Sequence, residues 1–86
     1  MKEKVIERII ARLKDEGVGE PLSPETKFYA LEVDSLGLYS MLAGVEDDFD
    51  VFVDSWQFNC SETIGDLADT IIKFLDEKYQ ISAKAA

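Results

Sequence analysis

Few side chains in this sequence could carry out chemistry on their own. The 86 residues include no histidine, which removes the usual general base and the commonest metal ligand, and makes a Ser-His-Asp triad impossible. The lone cysteine, Cys60, can form no internal disulfide or thiol cluster, and we expect it to be a small buried hydrophobic residue. The glycines fit no phosphate-binding loop. The sequence therefore predicts no catalytic residue, and we expect the chain not to be an enzyme.

The acidic segment 46–54 does not fit a calcium-binding loop. If Asp48 and Asp50 were positions one and three of such a loop, position six would be Val53 instead of Gly, and position twelve Asn59 instead of Glu. We interpret the segment as a solvated acidic face at the end of a helix, and we predict no metal ligands.

The remaining candidate is the segment Leu-Glu-Val-Asp-Ser-Leu at residues 31–36. Asp34 and Ser35 are both good N-cap residues, so a helix should begin there. A phosphate group on Ser35 would lie beside the unpaired N–H groups at the positive end of the helix dipole. A plain N-cap without any modification explains the same residues.

Amphipathic helices should position this segment. Apolar residues recur at helical spacing from Val5 to Leu13, and Gly17 should end that first helix near Asp15 or Glu16, with Val18 folding back on it. Residues 17–34 read as a long loop tied to the core. The second helix follows, and its buried stripe is Leu38, Met41, Leu42, Val45 and Phe49. Its opposite side carries Leu36, Ser40, Ala43, Gly44 and Asp47.

The second half of the chain predicts one short and one long helical element. Residues 51–53 are the best strand candidate, and residues 55–60 form a loop or a single helical turn anchored by Trp56 and Phe58. A last helix begins at Thr63, where Asp66 forms a capping-box-like arrangement. It buries a stripe that we list as Ile64, Leu67, Ala68, Ile71, Leu75 and Tyr79. We expect one domain, residues 1–80, and a frayed tail, residues 81–86.

These features together resemble the acyl carrier protein family, whose attachment motif is Gly-x-Asp-Ser-Leu. Phe28 precedes the motif at the family's distance, residues 46–49 resemble the acidic end of its second helix, and residues 63–67 resemble the start of its last helix. The resemblance covers nearly the whole chain. It implies an all-α, acyl-carrier-like four-helix bundle with three longer helices, one short helix and a long first loop.

The resemblance also implies the function. Ser35 would receive 4′-phosphopantetheine from coenzyme A through a phosphopantetheinyl transferase, and the arm would carry acyl groups as thioesters to partner enzymes of fatty-acid, polyketide or related biosynthesis. Asp34 would help the transferase hold magnesium and coenzyme A, and Leu36 would enter an apolar pocket of a partner. The expected partner face is Leu36, Tyr39, Ser40, Ala43 and Asp47.

Several positions depart from the family pattern. Glu32 replaces the usual Gly of the motif. Gly37 and Ser40 occupy positions that are commonly acidic in fatty-acid carriers, so we expect a dedicated pathway with its own enzymes. Trp56 and Phe58 are bulkier than usual and either belong to the core or fill the cavity that receives acyl chains, which would favour short or polar cargo. Gly37 and Gly44 each cost about 1 kcal/mol relative to Ala, which would make the second helix mobile.

The net charge of −9 restricts the partners. It would repel nucleic acids and anionic membranes and attract acyl-loading and acyl-processing enzymes that have basic docking surfaces. We expect a cytoplasmic location, because no signal peptide or membrane-spanning stretch is visible. We also expect the protein to be a monomer. The alternatives are a peptidyl, aryl or D-alanyl carrier, the last suggested by Phe49-Asp50-Val51, and an unmodified helical interaction domain.

Overall fold

Four helices make up the part of the chain that the structure describes. The computed structural model describes the backbone of residues 2–85 and the side chains of residues 2–77. The helices are α1 (Lys2–Asp15), α2 (Ser35–Phe49), α3 (Ser55–Cys60) and α4 (Ile64–Ala85), and a 3₁₀ turn spans Phe28–Ala30. Residues 51–53 form no strand. The described part of the chain is therefore the predicted all-α bundle.

Helix α1 ends as its sequence predicts. Gly17 has a φ of 95°, which a residue without a Cβ adopts at little cost. The Val18 N–H then donates to the Leu13 carbonyl at 3.2 Å and the Gly17 N–H donates to the Lys14 carbonyl at 3.0 Å. These bonds satisfy the last carbonyls of the helix, and Val18 is buried against the core.

The core lies where α1 packs against both α2 and α4. The largest fully buried side chains come from all three long helices and are Val5, Ile9, Leu13, Met41, Val45, Ile64, Leu67 and Ile71. Leu38 and Phe49 of the predicted α2 stripe are half-buried at its edge. Burial of apolar surface is the main force that holds the helices together.

The long first loop is attached to the start of α4. The Phe28 N–H donates to the Glu62 carbonyl at 2.9 Å, the Ile64 N–H to the Thr26 carbonyl at 3.0 Å, and the Gly65 N–H to the Pro24 carbonyl at 2.8 Å. Phe28 and Leu31 are buried. These contacts fix the path of the loop on its way to α2, as its buried apolar residues predicted.

Helix α3 corrects two predictions. Phe58 is buried as expected, but Trp56 is 63% exposed, and the Cys60 thiol is exposed rather than buried. At about 100° per residue, positions two before and two after Phe58 lie on the opposite side of a helix. Because Phe58 faces the core, Trp56 and Cys60 face outward.

Helix α4 begins with the predicted capping arrangement. The Asp66 N–H donates to the Thr63 hydroxyl, and the Thr63 N–H donates to the Asp66 carboxylate, both at 3.1 Å. The predicted stripe is buried from Ile64 to Leu75, whereas the side chain of Tyr79 lies outside the described residues. The fraying expected for 81–86 stays a prediction. No helix of residues 2–85 is long and apolar enough to cross a membrane.

Candidate functional site

Ser35 is the first residue of α2, and its side chain is exposed. Asp34 is the N-cap: its Oδ1 accepts a hydrogen bond from the Gly37 N–H at 2.8 Å, and its carbonyl accepts from the Leu38 N–H at 3.0 Å. The side chain of Asp34 thus holds the first turn together, while Ser35 leaves its hydroxyl available to solvent. Of the two N-cap candidates, the structure assigns the cap to Asp34.

The first turn of α2 presents a positive end to solvent. Asp34 uses the N–H groups of Gly37 and Leu38, whereas those of Ser35 and Leu36 have no acceptor within the described chain. Unpaired N–H groups at a helix start, together with the helix dipole, favour an anion at this place. A phosphate ester on the Ser35 hydroxyl would lie in that field.

A close contact holds the segment before Ser35 against the helix. Val33 is half-buried, and its Cγ2 occupies the space where a side chain on Gly37 would begin. The Glu32 N–H donates a long hydrogen bond of 3.4 Å to the Glu20 carboxylate. The packing of Val33 gives Gly37 a structural role that its sequence position did not reveal.

Carboxylates surround the site. An open groove of about 480 Å³ next to Ser35 is lined by Glu16, Glu32 and Asp34, together with Leu36 and Ser40. Even so, no group of three or more His, Cys, Asp or Glu side chains in the described residues could hold a metal ion.

The predicted partner face forms one exposed surface of α2. Leu36 is 81% exposed, and Ser40, Ala43 and Asp47 are exposed on the turns that follow. Tyr39 is only partly on this face, because its ring also packs on Phe58 with centroids 5.7 Å apart. Gly44, which the helical wheel placed on the same side, is instead covered by Arg12 of α1.

Aromatic rings from the first loop, α2 and α3 pack against one another beside this face. Phe58 contacts Tyr39 on one side and Phe28 on the other, where the ring centroids are 5.5 Å apart. Phe28, Leu38 and Phe58 also line an open surface pocket of about 240 Å³, together with the exposed Tyr29, Asn59 and Glu62. Of the two bulky residues in α3, only Phe58 reaches this region, since Trp56 faces outward.

Two arginines of α1 form salt bridges with Asp48 near the C-terminal end of α2. The Arg12 guanidinium donates to both oxygens of Asp48, at 2.7 and 3.0 Å, and Arg8 donates to Oδ2 at 3.0 and 3.2 Å. The hydrogen bond from Arg12 is the main reason that the pKa of Asp48 lies below its ordinary value. The same bond raises the pKa of Arg12.

Sequence reasoning missed this ion-pair cluster because its members lie about one half of the chain apart. A weak signal was present: Gly44 and Asp48 are four residues apart, so they lie on neighbouring turns of one face. A Cβ on Gly44 would meet the Arg12 Cδ and Nε at 2.8 Å. Gly44 therefore gives Arg12 room to cross α2 and reach Asp48.

Comparison with known proteins points to one family. Residues 4–71 match the family described as "Phosphopantetheine attachment site". Over 60 residues, the chain is 35% identical to "Acyl carrier protein 1, chloroplastic" of Hordeum vulgare. That match covers 70% of this chain but only 40% of the relative's length.

Proposed function

The chain belongs to the phosphopantetheine-attachment family of carrier proteins, and on this premise we propose that it carries acyl groups on an arm attached to Ser35. A family member of this type is a carrier and not an enzyme, and the covalent group of the family is 4′-phosphopantetheine. When bound, the arm supplies a terminal thiol that holds cargo as a thioester. The observation that carries the assignment to Ser35 is its exposed hydroxyl at the start of α2.

The residues around Ser35 fit such a group. The N–H groups of Ser35 and Leu36 are placed to stabilise a phosphodiester, since they have no acceptor within the described chain. The neighbouring carboxylates of Glu16 and Glu32 would repel the phosphate and direct the arm outward, away from the groove. The arm would then extend into solvent, where a partner enzyme can reach its thiol.

Asp34 has one oxygen to spare for the attachment reaction. Its Oδ1 accepts from Gly37, which leaves Oδ2 free to bind a magnesium ion held jointly with coenzyme A and the transferase. Oxygen ligands of this kind suit magnesium, which is usually bound through one or two carboxylates and substrate phosphates. The Ser35 oxygen would then bond to the pantetheine phosphorus as the nucleotide part of coenzyme A leaves, and its proton would pass to a base of the transferase.

Leu36 and the other residues of the partner face of α2 would determine which enzymes bind. A Leu side chain that is 81% exposed beside the anchor would gain free energy on entering an apolar pocket of the transferase or of a later enzyme. Tyr39, Ser40, Ala43 and Asp47 complete the contact surface. Because only Asp47 of these carries a charge, we propose a dedicated pathway rather than general fatty-acid synthesis.

We propose that the cargo is short or polar. The open pocket of about 240 Å³ beside α2 is smaller than the roughly 300–1,000 Å³ of common ligand pockets, and Phe28, Tyr39 and Phe58 already fill the neighbouring space. A long apolar chain would find little room there. If loading a long acyl chain raised the Tm well above that of the acetylated carrier, the pocket would be accepting it and this proposal would be wrong.

The first experiment measures intact mass. The purified chain is incubated with coenzyme A, magnesium and a broad-specificity phosphopantetheinyl transferase, alongside Ser35→Ala and the matched control Ser55→Ala, which removes an exposed hydroxyl from the first residue of α3, also directly after an Asp N-cap. We expect one added phosphopantetheine on the parent and on Ser55→Ala, and none on Ser35→Ala. If the parent gains nothing under conditions that modify a known carrier, a helical interaction domain becomes the better assignment.

The modified protein then tests the pathway. A fatty-acid malonyl transferase should load it more slowly than it loads its own carrier in a competition assay, because the front of α2 carries fewer charges. Equal loading would contradict a dedicated pathway. Loading by an adenylating enzyme would instead favour a peptidyl, aryl or D-alanyl carrier. We also propose that the protein acts as a monomer in the cytoplasm, which sedimentation and cell fractionation would check.

A further inference from the structure

Helices α3 and α4 form a groove that the proposed carrier function does not use. Its volume is about 560 Å³, and its apolar part consists of Trp56 and Cys60 on α3 and Phe74 on α4. Trp56 and Cys60 are four residues apart, so they lie on the same side of their helix. Phe58 lies on the opposite side of α3 and packs on Tyr39 of α2. The groove is therefore a surface separate from the face that carries Ser35.

The exposure of Trp56 is the feature that marks the groove. Trp56 leaves 63% of its surface in water beside the half-buried Phe74. Tryptophan is enriched at protein interfaces, where its ring provides a large contact area and its N–H finds an acceptor. An apolar patch that a small protein leaves open indicates a binding surface.

The charges around the groove select the class of partner. Three carboxylates line it, from Asp66, Asp69 and Glu77, against the single amine of Lys73. Asp69 is paired with Lys2 at 2.9 Å on the exposed surface, but Asp66 and Glu77 form no salt bridge within the described side chains. A cationic partner would meet complementary charge here, on a chain that is already strongly acidic.

The architecture of the groove selects the shape of the partner. Its walls are two helices, and residues 2–85 contain no strand whose edge could add a further strand. A helix that lays an apolar stripe into a groove is the recognition mode that two helical walls favour. The Trp56 and Phe74 rings would receive its apolar side chains, and Asp66 and Glu77 would face its Lys or Arg residues.

We propose that the groove between α3 and α4 docks a basic amphipathic helix of a partner protein. Docking there leaves the first turn of α2 uncovered, so the partner could hold the protein while another surface engages Ser35. A second attachment point of this kind raises the effective concentration of the carrier at the partner. The proposal does not depend on whether Ser35 is modified.

A synthetic helix tests the proposal on the unmodified protein. The probe is an amphipathic peptide of about 18 residues built from Lys and Leu, which is long enough to form a helix. Trp56 is the only tryptophan of the chain, so its fluorescence should shift to shorter wavelengths when the peptide covers it. Calorimetry should show about tenfold weaker binding to Trp56→Ala and to Glu77→Lys than to the parent.

Matched variants separate this groove from the rest of the acidic surface. Phe52→Ala removes another exposed aromatic ring, which is 71% exposed and outside the groove, and Glu25→Lys reverses a charge on the first loop. Both should bind the peptide within about twofold of the parent. The proposal is overturned if the peptide does not bind at about 1 mM, if both control variants weaken binding as much as the groove variants, or if Leu36→Ala alone abolishes it.

Discussion

The family resemblance leads us to expect an acidic residue at position 37, two positions after Ser35, where this chain has Gly. The structure supplies a local reason for the glycine. The Val33 methyl group fills the space that a Cβ would need, so any larger residue must shift the Val33 side chain. The unusual residue thus reflects packing between Val33 and the first turn of α2.

We predict that Gly37→Ala destabilises the protein by about 1 kcal/mol. Crowding against Val33 costs roughly 1–3 kcal/mol, and the higher helix propensity of Ala returns only about 1 kcal/mol. In a Val33→Ala background the crowding is gone, and Gly37→Ala should then stabilise. Urea unfolding of the four proteins measures both signs; a destabilising effect of equal size in both backgrounds would show that Val33 is not the cause.

Residue-scale predictions from the sequence succeeded where a long pattern constrained them. The buried residues of α1, α2 and α4 follow from helical periodicity over several turns, and the exposure of Leu36 follows from the same wheel. The segment around Trp56, Phe58 and Cys60 is too short for this. Three apolar residues at alternate positions fit either side of a short helix, and only the contacts of Phe58 with Phe28 and Tyr39 decide which side is buried.

At the scale of the helices, the residues that begin and end a helix could be predicted from the sequence, whereas the contacts between two helices could not. Gly17, Asp34 and the Thr63–Asp66 pair act within a few residues of their own position, so local sequence reveals them. The bridge from Arg12 to Asp48 depends on how α1 and α2 pack. It also changes the interpretation of Gly44, which the sequence suggested would loosen α2 and which instead admits Arg12.

The ion pairs of Asp48 with Arg8 and Arg12 make the attachment of α2 to α1 depend on pH. The pKa of Asp48 is lowered in the folded protein, chiefly by its hydrogen bond with Arg12. A carboxylate of this kind contributes stability that is fully present above its unfolded pKa of about 3.9, and the contribution is lost as the pH falls through the lower folded value. Deprotonated Asp48 therefore stabilises the bundle at neutral pH.

We predict that Asp48→Asn lowers the Tm by a few degrees at pH 7, in line with the modest strength of surface ion pairs. The difference between parent and variant should shrink as the pH drops below about 4 and disappear in stronger acid. Asp47→Asn, one residue away and without a salt bridge in the described part of the chain, is the control and should change the Tm little. A difference that persisted at low pH would point to lost packing.

For the molecule as a whole, backbone hydrogen bonds join the first loop to the start of α4 and so add a second link between the two halves of the chain besides the helical core. The bonds that join Phe28 to Glu62, Thr26 to Ile64 and Pro24 to Gly65 form a short antiparallel contact centred on a bridge between Lys27 and Thr63. The sequence predicted a loop tied to the core but could not show where it is attached. Backbone hydrogen bonds form between groups that nearly every residue type has, so the sequence does not reveal the partners.

We predict that the amides of Phe28, Ile64 and Gly65 open as one unit in hydrogen exchange. Gly65→Ala should accelerate exchange at Phe28 and Ile64 about tenfold, a loss of roughly 1.4 kcal/mol in opening free energy, because its Cβ would meet the Pro24 carbonyl oxygen at 3.0 Å. The Val18 amide, at the other end of the loop, should keep its rate. Independent exchange of the three amides would show that the contact is not cooperative.

The same contact has a consequence for synthesis on the ribosome. Ser35 leaves the exit tunnel before residues 62–65 do, so the loop that leads to Ser35 has nothing to bind at that time. Ser35 would be held in place only after the start of α4 has emerged. We therefore expect a nascent chain to be a poor substrate for the modification proposed at Ser35 until that point.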